Sequence, residues 1–404
     1  MKEALSVSAA DCFANGTPFV PMRPWGYTRV LDARTPGEFA EDHLPGAVNW
    51  PVLNDAQRAS VGTLHRQDGA FAARRAGAAL VARNIANLLD AYATALEPQA
   101  QLLVYCWRGG QRSASLATVL ARIGYRVAVL EGGYKSFRRH VLEQLPQLIT
   151  ALRLQVVAGR TGSGKTAVLG QLSELGEQVL DLEGLACHRG SVLGAEPSQP
   201  QPSQRAFETR LWLALRTLQP ERPVWLEAES KRIGLCTLPD RLIEAMHRSP
   251  AVVLQVPQQA RTDFLLEQYP FWVEHKAELA KALQRLQPRV GAQVHELVQS
   301  KLEGDDMRGV VQKLLEHHYD PLYDRSLARN YPDRPLKVLN LERLDQESLQ
   351  QVAQELRTAT CAAWPTPSMV IESTLGTEPV RKGLDLRLAP KSAQESIGHR
   401  IAVE

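Results

Sequence analysis

The sequence is poor in cysteine, and nothing pairs the few cysteines it has. Cys12, Cys106, Cys187, Cys236 and Cys361 make an odd total of five in 404 residues, with no Cys-x-x-Cys and no Cys/His group at zinc spacing. That pattern supports neither a disulfide framework nor a structural metal site, and it points to a reducing compartment. No stretch approaches the roughly 18 apolar residues of a membrane span. The first residues, Met1-Lys-Glu-Ala-Leu-Ser-Val7, lack the apolar core of a signal peptide. A cytoplasmic protein without a membrane partner is expected. A dominant charge is missing too: 47 Lys and Arg against 44 Asp and Glu leave a net charge of +3, too small to announce nucleic-acid binding by itself. With 6% aromatic, 23% charged and 44% hydrophobic residues, the composition excludes a collagen, a coiled-coil rod and wholesale disorder. At 404 residues the chain is long for one domain, and about two to three are expected.

Two α/β units can be read in the hydrophobic pattern. The first runs from the strand Arg29-Val-Leu-Asp-Ala33 through a helical stretch at about 72–96 to the apolar strand Leu102-Leu-Val-Tyr-Cys106. A helix from near Ser113 follows, with Leu116, Val119, Leu120 and Ile123 on one face, then the strand Arg126-Val-Ala-Val-Leu130. The second begins at Leu152-Arg-Leu-Gln-Val-Val-Ala158 and continues with strands at 178–181, 223–227, 251–255 and 336–340. Strands alternating with helices predict parallel sheets. The expected boundary lies at 140–151. Pro197-Ser-Gln-Pro-Gln-Pro202 must be a loop. Residues from about 260 to 327 read as mostly helical, and 347–357 as one more helix. Beyond about 365 the periodicity fades, as in a weakly ordered tail. The domains expected are thus 15–140, 151–345 with a helical insert, and a C-terminal helix and tail over 346–404.

One constellation surrounds a cysteine at a strand-to-helix turn, Cys106-Trp-Arg-Gly-Gly-Gln-Arg112-Ser113. Backbone amides are unpaired there and the helix dipole is positive, which favours a thiolate. Gly109 and Gly110 let the loop curl its amides inward, and Arg108 and Arg112 add charge, so the loop can also cradle an oxyanion. Cys106 and Arg112 are the candidate catalytic pair. Cys-x5-Arg suits both cysteine phosphatases and rhodanese-type sulfurtransferases. Upstream, Leu31-Asp-Ala-Arg-Thr-Pro-Gly-Glu-Phe39 and His43-Leu-Pro-Gly-Ala-Val-Asn-Trp-Pro51 resemble the rhodanese pattern, and that resemblance implies a chalcogen carrier at Cys106. Asp32, Arg34 and His43 are expected to support the active loop rather than to react.

A second constellation, Gly159-Arg-Thr161-Gly162-Ser163-Gly164-Lys165-Thr166, follows a strand and opens a helix, the context in which G-x-x-x-x-G-K-[ST] is a phosphate cradle. The amides turn inward, Lys165 supplies charge, and Thr166 can reach a magnesium ion. Nothing in the loop selects adenine, and no guanine-reading Asn-Lys-x-Asp is present. Glu227, ending the strand Val224-Trp-Leu-Glu227, stands where a carboxylate would meet the phosphates, with Ser230 and Arg232 just after it. Asp181, His188 and Arg189 lie beyond the end of the preceding strand, where open α/β sheets bind ligands. These six are the candidate substrate-binding residues.

Both constellations in one chain, with Asp181-Leu-Glu-Gly-Leu-Ala-Cys-His-Arg-Gly190, Gln201-Pro-Ser-Gln204, Phe207-Glu208, Glu227-Ala-Glu-Ser-Lys-Arg-Ile-Gly234 and His318-Tyr-Asp-Pro-Leu-Tyr323, resemble the bacterial tRNA 2-selenouridine synthases over about 15–360. The resemblance implies a rhodanese-like α/β domain followed by a P-loop parallel α/β domain with helical additions. It implies a transferase acting on tRNA that carries 2-thiouridine at the wobble position. The sulfur would first be geranylated from geranyl diphosphate, and the geranylthio group then exchanged for selenium from selenophosphate. Under this reading the P-loop holds the diphosphate leaving group and Cys106 takes selenium as a perselenide, with Arg112 on the phosphate end. No cofactor is tightly bound; a selenophosphate-supplying enzyme would be a partner. The main competing reading is a P-loop kinase or ATPase with an inactive or sensory rhodanese module; a tRNA- or anion-binding regulatory protein without turnover and a simple thiosulfate sulfurtransferase are the others.

Overall fold

The computed structural model describes residues 3–14, 23–191, 193–194, 199–331 and 337–361, the last three by backbone alone. Twelve strands are present among them: β1 (Leu5–Val7), β2 (Arg29–Asp32), β3 (Ala47–Asn49), β4 (Gln101–Tyr105), β5 (Arg126–Leu130), β6 (Arg153–Gly159), β7 (Gln178–Val179), β8 (Pro223–Glu227), β9 (Arg232–Ile233), β10 (Cys236–Thr237), β11 (Ala251–Gln255) and β12 (Lys337–Asn340). Two five-stranded sheets hold all but the β9–β10 hairpin, in the orders β1-β5-β4-β2-β3 and β12-β11-β6-β8-β7. Every pairing within them is parallel. Helices cover both faces, so the central strands are almost wholly apolar: Leu102, Leu103 and Val104 in β4, and Val156, Val157 and Ala158 in β6, are buried. The α/β class expected from the pattern is the fold observed.

Three features of the first unit were not visible in the hydrophobic pattern. β1 and β3 are three residues each, too short to leave a periodic signal. The helix Asp55–Gln67 precedes Gly69–Tyr92 and is marked only by its capping box, Asn54 with Gln57. It buries no residue fully, so it carries little of the apolar stripe that marks a core-facing helix.

The boundary expected at 140–151 contains no linker. One helix, Gly133–Ala151, runs through it, and β6 starts at Arg153. Phe137, Val141, Leu145 and Ile149 recur every four residues along the buried face of this helix. They enter one core with Phe13 and Trp25 on one side and Trp212 and Leu215 on the other. Trp212 sits 5.6 Å from both Trp25 and Phe137 by ring centroids. Below the aromatic cluster, Asp42 Oδ2 accepts hydrogen bonds from Tyr134 Oη at 2.7 Å and Thr209 Oγ1 at 2.9 Å. Arg138 pairs with Glu208, and Arg205 with Glu41. Two units with separate sheets thus share one hydrophobic core.

In the second unit, helices from Gln258 to Asn330 form the expected insert between β11 and β12. The helix Gln346–Cys361, expected to begin a separate C-terminal unit, instead lies against Lys165–Glu174 and buries Leu349, Val352, Ala353 and Leu356. Residues after 361, with the tail expected there, fall outside the described residues, as do Pro197 and Ser198 of the proline-rich loop. Among the described residues no helix is long and apolar enough to cross a membrane.

Candidate functional site

Both sequence constellations sit where the fold places ligands, at the carboxyl ends of central parallel strands. Cys106 follows β4, and register aligns Asp32 of β2 with Tyr105 beside it. The thiol is only 3% exposed. Its Sγ accepts from the Gly110 amide at 3.3 Å and from Ser113 Oγ at 3.1 Å, so the curled loop does aim donors at sulfur. Gly109 adopts φ +66°, a left-handed conformation that a side chain would strain. Arg112 forms a two-pronged ion pair with Glu38, at 2.7 and 3.3 Å. Burial alone would raise the Glu38 carboxyl, but Arg112 holds it below the usual range. Arg108 is exposed.

Asp32 and Arg34 are fully buried beneath the loop. The Arg34 guanidinium donates to Asp32 at 2.6 to 3.0 Å and to the Asp42 carbonyl at 2.7 Å, and it stacks 4.1 Å from the Tyr134 ring. Tyr105 Oη donates to Asp32 at 2.7 Å. A buried pair so fully hydrogen-bonded fixes geometry. His43 stacks on Phe39 at 3.9 Å and its Nδ1 meets the Phe39 carbonyl.

Gly133 was not singled out in the sequence. It has φ +57°, and a Cβ there would lie 2.2 Å from the Cys106 carbonyl oxygen and 2.6 Å from the Gly109 nitrogen. Tyr134 and Lys135 donate their amides to the carbonyls of Cys106 and Trp107, at 2.8 and 3.0 Å. The helix that enters the shared core therefore also clamps the cysteine loop.

The phosphate loop turns off β6 through Gly159, Gly162 (φ +79°) and Gly164 (φ +76°) into the helix Lys165–Glu174. A Cβ at Gly162 would strike Leu265 at 2.8 Å, and one at Gly164 would strike Leu344 at 2.9 Å. Lys165 Nζ donates to the Gly159 carbonyl at 3.2 Å. Thr161 gives its carbonyl to Arg261 at 3.0 Å. The Ser163 hydroxyl is buried with no partner, a donor an anion's oxygen would satisfy.

Parallel register sets Glu227 of β8 beside Val157 of β6, and Thr166 Oγ1 donates to Glu227 at 2.5 Å. Two further carboxylates join it. Glu183, Glu227 and Glu229 have oxygens within 4.8 Å of one another. Burial and then the neighbouring carboxylates push Glu183 up to about 9 and Glu229 up to about 7; burial also raises Glu227. With Thr166, these hard oxygen donors fit a magnesium ion held against phosphate. Asp181 caps its own helix, accepting from the Gly184 amide at 2.8 Å. Sequence reasoning took Glu227 and passed over Glu183 and Glu229, although the strand-end pair Glu227-Ala-Glu229 was the available signal.

A cavity of about 740 Å³ opens from this cradle. Of the candidate substrate-binding residues, Asp181, His188, Arg189, Glu227 and Ser230 line it. Arg189 donates to the Gln268 carbonyl at 2.7 Å and stacks 4.7 Å from the Tyr269 ring. Arg232 does not line the cavity. The β9–β10 hairpin buries Ile233, and alternation turns Arg232 to solvent. The far wall comes from the helical insert: Tyr269, Tyr319, Leu322, Tyr323 and Leu327. Tyr319 is placed by a single π-type turn over Leu315–Tyr319 between two α-helical segments, a distortion frequent at functional sites.

Comparison with known proteins follows the same division. Residues 22–140 match the rhodanese-like domain family, and 152–357 match the family described as the tRNA 2-selenouridine synthase AAA domain. A tRNA 2-selenouridine synthase of Sulfurovum sp. (strain NBC37-1) is 32% identical over 75% of this chain and 90% of its own. One from Aeromonas salmonicida (strain A449) is 35% identical over 73% and 86%. Among solved structures, a rhodanese-related protein from Thermoplasma volcanium is 20% identical, covering 34% of this chain and 92% of its own, with a TM-score of 0.20.

Proposed function

The chain belongs to the tRNA 2-selenouridine synthase family, a family of tRNA-modifying transferases, and from that premise we propose how its two sites divide the work. Wobble 2-thiouridine is first S-geranylated with geranyl diphosphate at the P-loop and then selenated from selenophosphate at the cysteine loop. The observation that carries this reading is the composition of the larger cavity. Its phosphate cradle, charged by Lys165 and Arg189, faces a wall of tyrosines and leucines that suits a hydrocarbon.

In the first step the thiouridine sulfur bonds to C1 of the geranyl group as the C1–O bond breaks. The electron pair leaves on diphosphate, and the uracil N3 proton is lost. Loop amides, the Ser163 hydroxyl and Lys165 meet the charge that grows on the leaving group, where preorganised donors contribute most. Thr166 and the Glu183, Glu227 and Glu229 carboxylates would hold magnesium, which neutralises diphosphate when bound. Asp181, His188 and Ser230 border the remaining space, where the nucleoside would enter.

In the second step selenium adds at C2 and geranylthiolate departs with its electron pair, while water takes the phosphoryl group of selenophosphate. This exchange is redox-neutral. Selenium arrives at the selenide level, so storing it on Cys106 as a perselenide would require removal of two electrons. The balanced exchange has the Cys106 loop hold selenophosphate with its selenium against Sγ. Arg112, tethered by Glu38, borders the phosphate end.

Mass spectrometry of wobble nucleosides tests the reading, with purified protein, 2-thiouridine tRNA, geranyl diphosphate and selenophosphate, each omitted in turn. Geranylthiouridine without selenophosphate and selenouridine with it are expected, and Cys106→Ala should stop at the geranylated nucleoside. Loss of both products in a folded Cys106→Ala protein would overturn the division of labour. Thiouridine left unchanged while tRNA stimulates ATP hydrolysis would favour the kinase or ATPase reading.

A further inference from the structure

The helical insert encloses a second space that neither the phosphate cradle nor the cysteine loop uses. It is a chamber of about 70 Å³ whose walls include Leu266, Trp272, Leu279, Met307, Val310 and Val311. It shares Thr161, Ser191, Leu265, Tyr269 and Tyr319 with the larger cavity. Thr161 belongs to the phosphate loop itself, so the chamber begins where the cradle ends. Among the described residues its lining offers few polar atoms. The Trp272 indole N–H is already given to the Leu193 carbonyl at 3.1 Å. The Tyr319 hydroxyl is engaged with Ser191 and Leu193. A space so largely apolar holds neither water nor a nucleobase well.

The geometry points to this chamber as the site for the distal isoprene unit of the allylic diphosphate, and so as the element that sets prenyl chain length. The assignment rests on the geranyl diphosphate reading above and extends it to named residues. The diphosphate lies on the P-loop amides, C1 and the first isoprene unit lie along Tyr269 and Tyr319, and the second unit passes Leu265 into the chamber. A five-carbon chain stops short of it. Each methylene-sized group moved from water into an apolar site strengthens binding about fourfold. Half-effective burial of five more carbons then gives roughly 30-fold tighter binding for ten carbons than for five.

The test is calorimetric binding of inorganic diphosphate, dimethylallyl diphosphate and geranyl diphosphate to the full chain with magnesium, for wild type, Val311→Phe and Leu266→Ser. Wild type should prefer geranyl over dimethylallyl diphosphate by about 30-fold. Each variant should reduce that preference at least 5-fold and leave inorganic diphosphate within 2-fold, which also shows that the variant is folded. Chain-length preference retained in folded variants overturns the chamber and leaves the geranyl reading standing. No preference in wild type overturns the chamber, and failure to bind either allylic diphosphate overturns the geranyl reading with it. If the variants fail to fold, a geranyl diphosphate analogue with a diazirine at its distal end, photolysed on wild type, gives the same decision. Labels should map to 265–279 and 307–315, and labels confined elsewhere would refute the assignment.

Discussion

Gly133→Ala should disable the cysteine loop and spare the phosphate loop. At φ +57° the added Cβ would sit 2.2 Å from the Cys106 carbonyl oxygen and 2.6 Å from the Gly109 nitrogen, where ordinary contacts begin near 3.4 Å. The loop must retreat by about an ångström, which breaks or stretches the amide bonds that Tyr134 and Lys135 make to Cys106 and Trp107. A left-handed alanine costs about 1–2 kcal/mol, and overpacking adds about 1–3 kcal/mol. Together they make roughly 2–5 kcal/mol. With an unfolding entropy of about 2.1 cal/mol/K per residue over roughly 350 residues, each kcal/mol lowers Tm by about 1.4 °C, so a fall of about 3–7 °C is expected. Displacement of Sγ by an ångström typically costs on the order of 100-fold in rate. The assay is selenouridine formation from pre-geranylated tRNA, followed by nucleoside mass spectrometry, beside geranylation of thiouridine tRNA by the same preparation. Selenation should fall by about 100-fold, with geranylation near wild type. Wild-type selenation, or an unchanged Tm, would refute the clamp.

Other perturbations address the remaining elements. Lys165→Met removes the charge that meets the leaving group, and should slow geranylation by about 100-fold to 1000-fold while selenation of pre-geranylated tRNA persists; equal losses in both would contradict separate sites. Glu183 at about 9 and Glu229 at about 7 lie above their ordinary 4.5, so the native state keeps protons that the unfolded chain has released. Stability without divalent ions should therefore fall as pH rises from 4.5 toward 7 and, for Glu183, toward 9, by up to about 1.4 kcal/mol per pH unit for each group. Magnesium should raise Tm more at pH 8 than at pH 6, and the opposite order in a thermal-shift series would count against a carboxylate site. Asp42→Ala leaves the Tyr134 and Thr209 hydroxyls without their buried acceptor and should cost about 2–5 kcal/mol in denaturant unfolding. Adding Thr209→Val should cost less than the sum of the two single changes, and strict additivity would remove the proposed coupling between the units.

How legible each element was follows from how local its causes are. The two loops could be read directly, because a strand, a glycine turn and a helix start are contiguous. Cys106 through Ser113 and Gly159 through Thr166 carry their own amides, charges and conformational permissions within eight residues each. The parallel α/β class followed from alternating short apolar runs and helical stripes. Boundaries were another matter. The helix Gly133–Ala151 carries a core-facing stripe that reads the same whether it ends one domain or joins two. Only the packing of Phe13, Trp25 and Trp212 against it decides for one shared core.

The distant parts of the site needed the folded chain. Glu183 and Glu229 approach each other because β7 and β8 are neighbours in the sheet, and strand order is not written in any single segment. Gly133 has to be glycine because Cys106 and Gly109 come against it, a reason invisible in its own neighbourhood. Arg232 stands outside the cavity because the β9–β10 hairpin turns it outward. The apolar chamber is built by leucines, valines and a methionine that, along the sequence, differ in nothing from those filling the core. Sequence by itself determines which atoms can do chemistry and the local turn that presents them. Tertiary structure decides which groups share a volume, because burial and proximity are properties of the whole packing and not of any one stretch of chain.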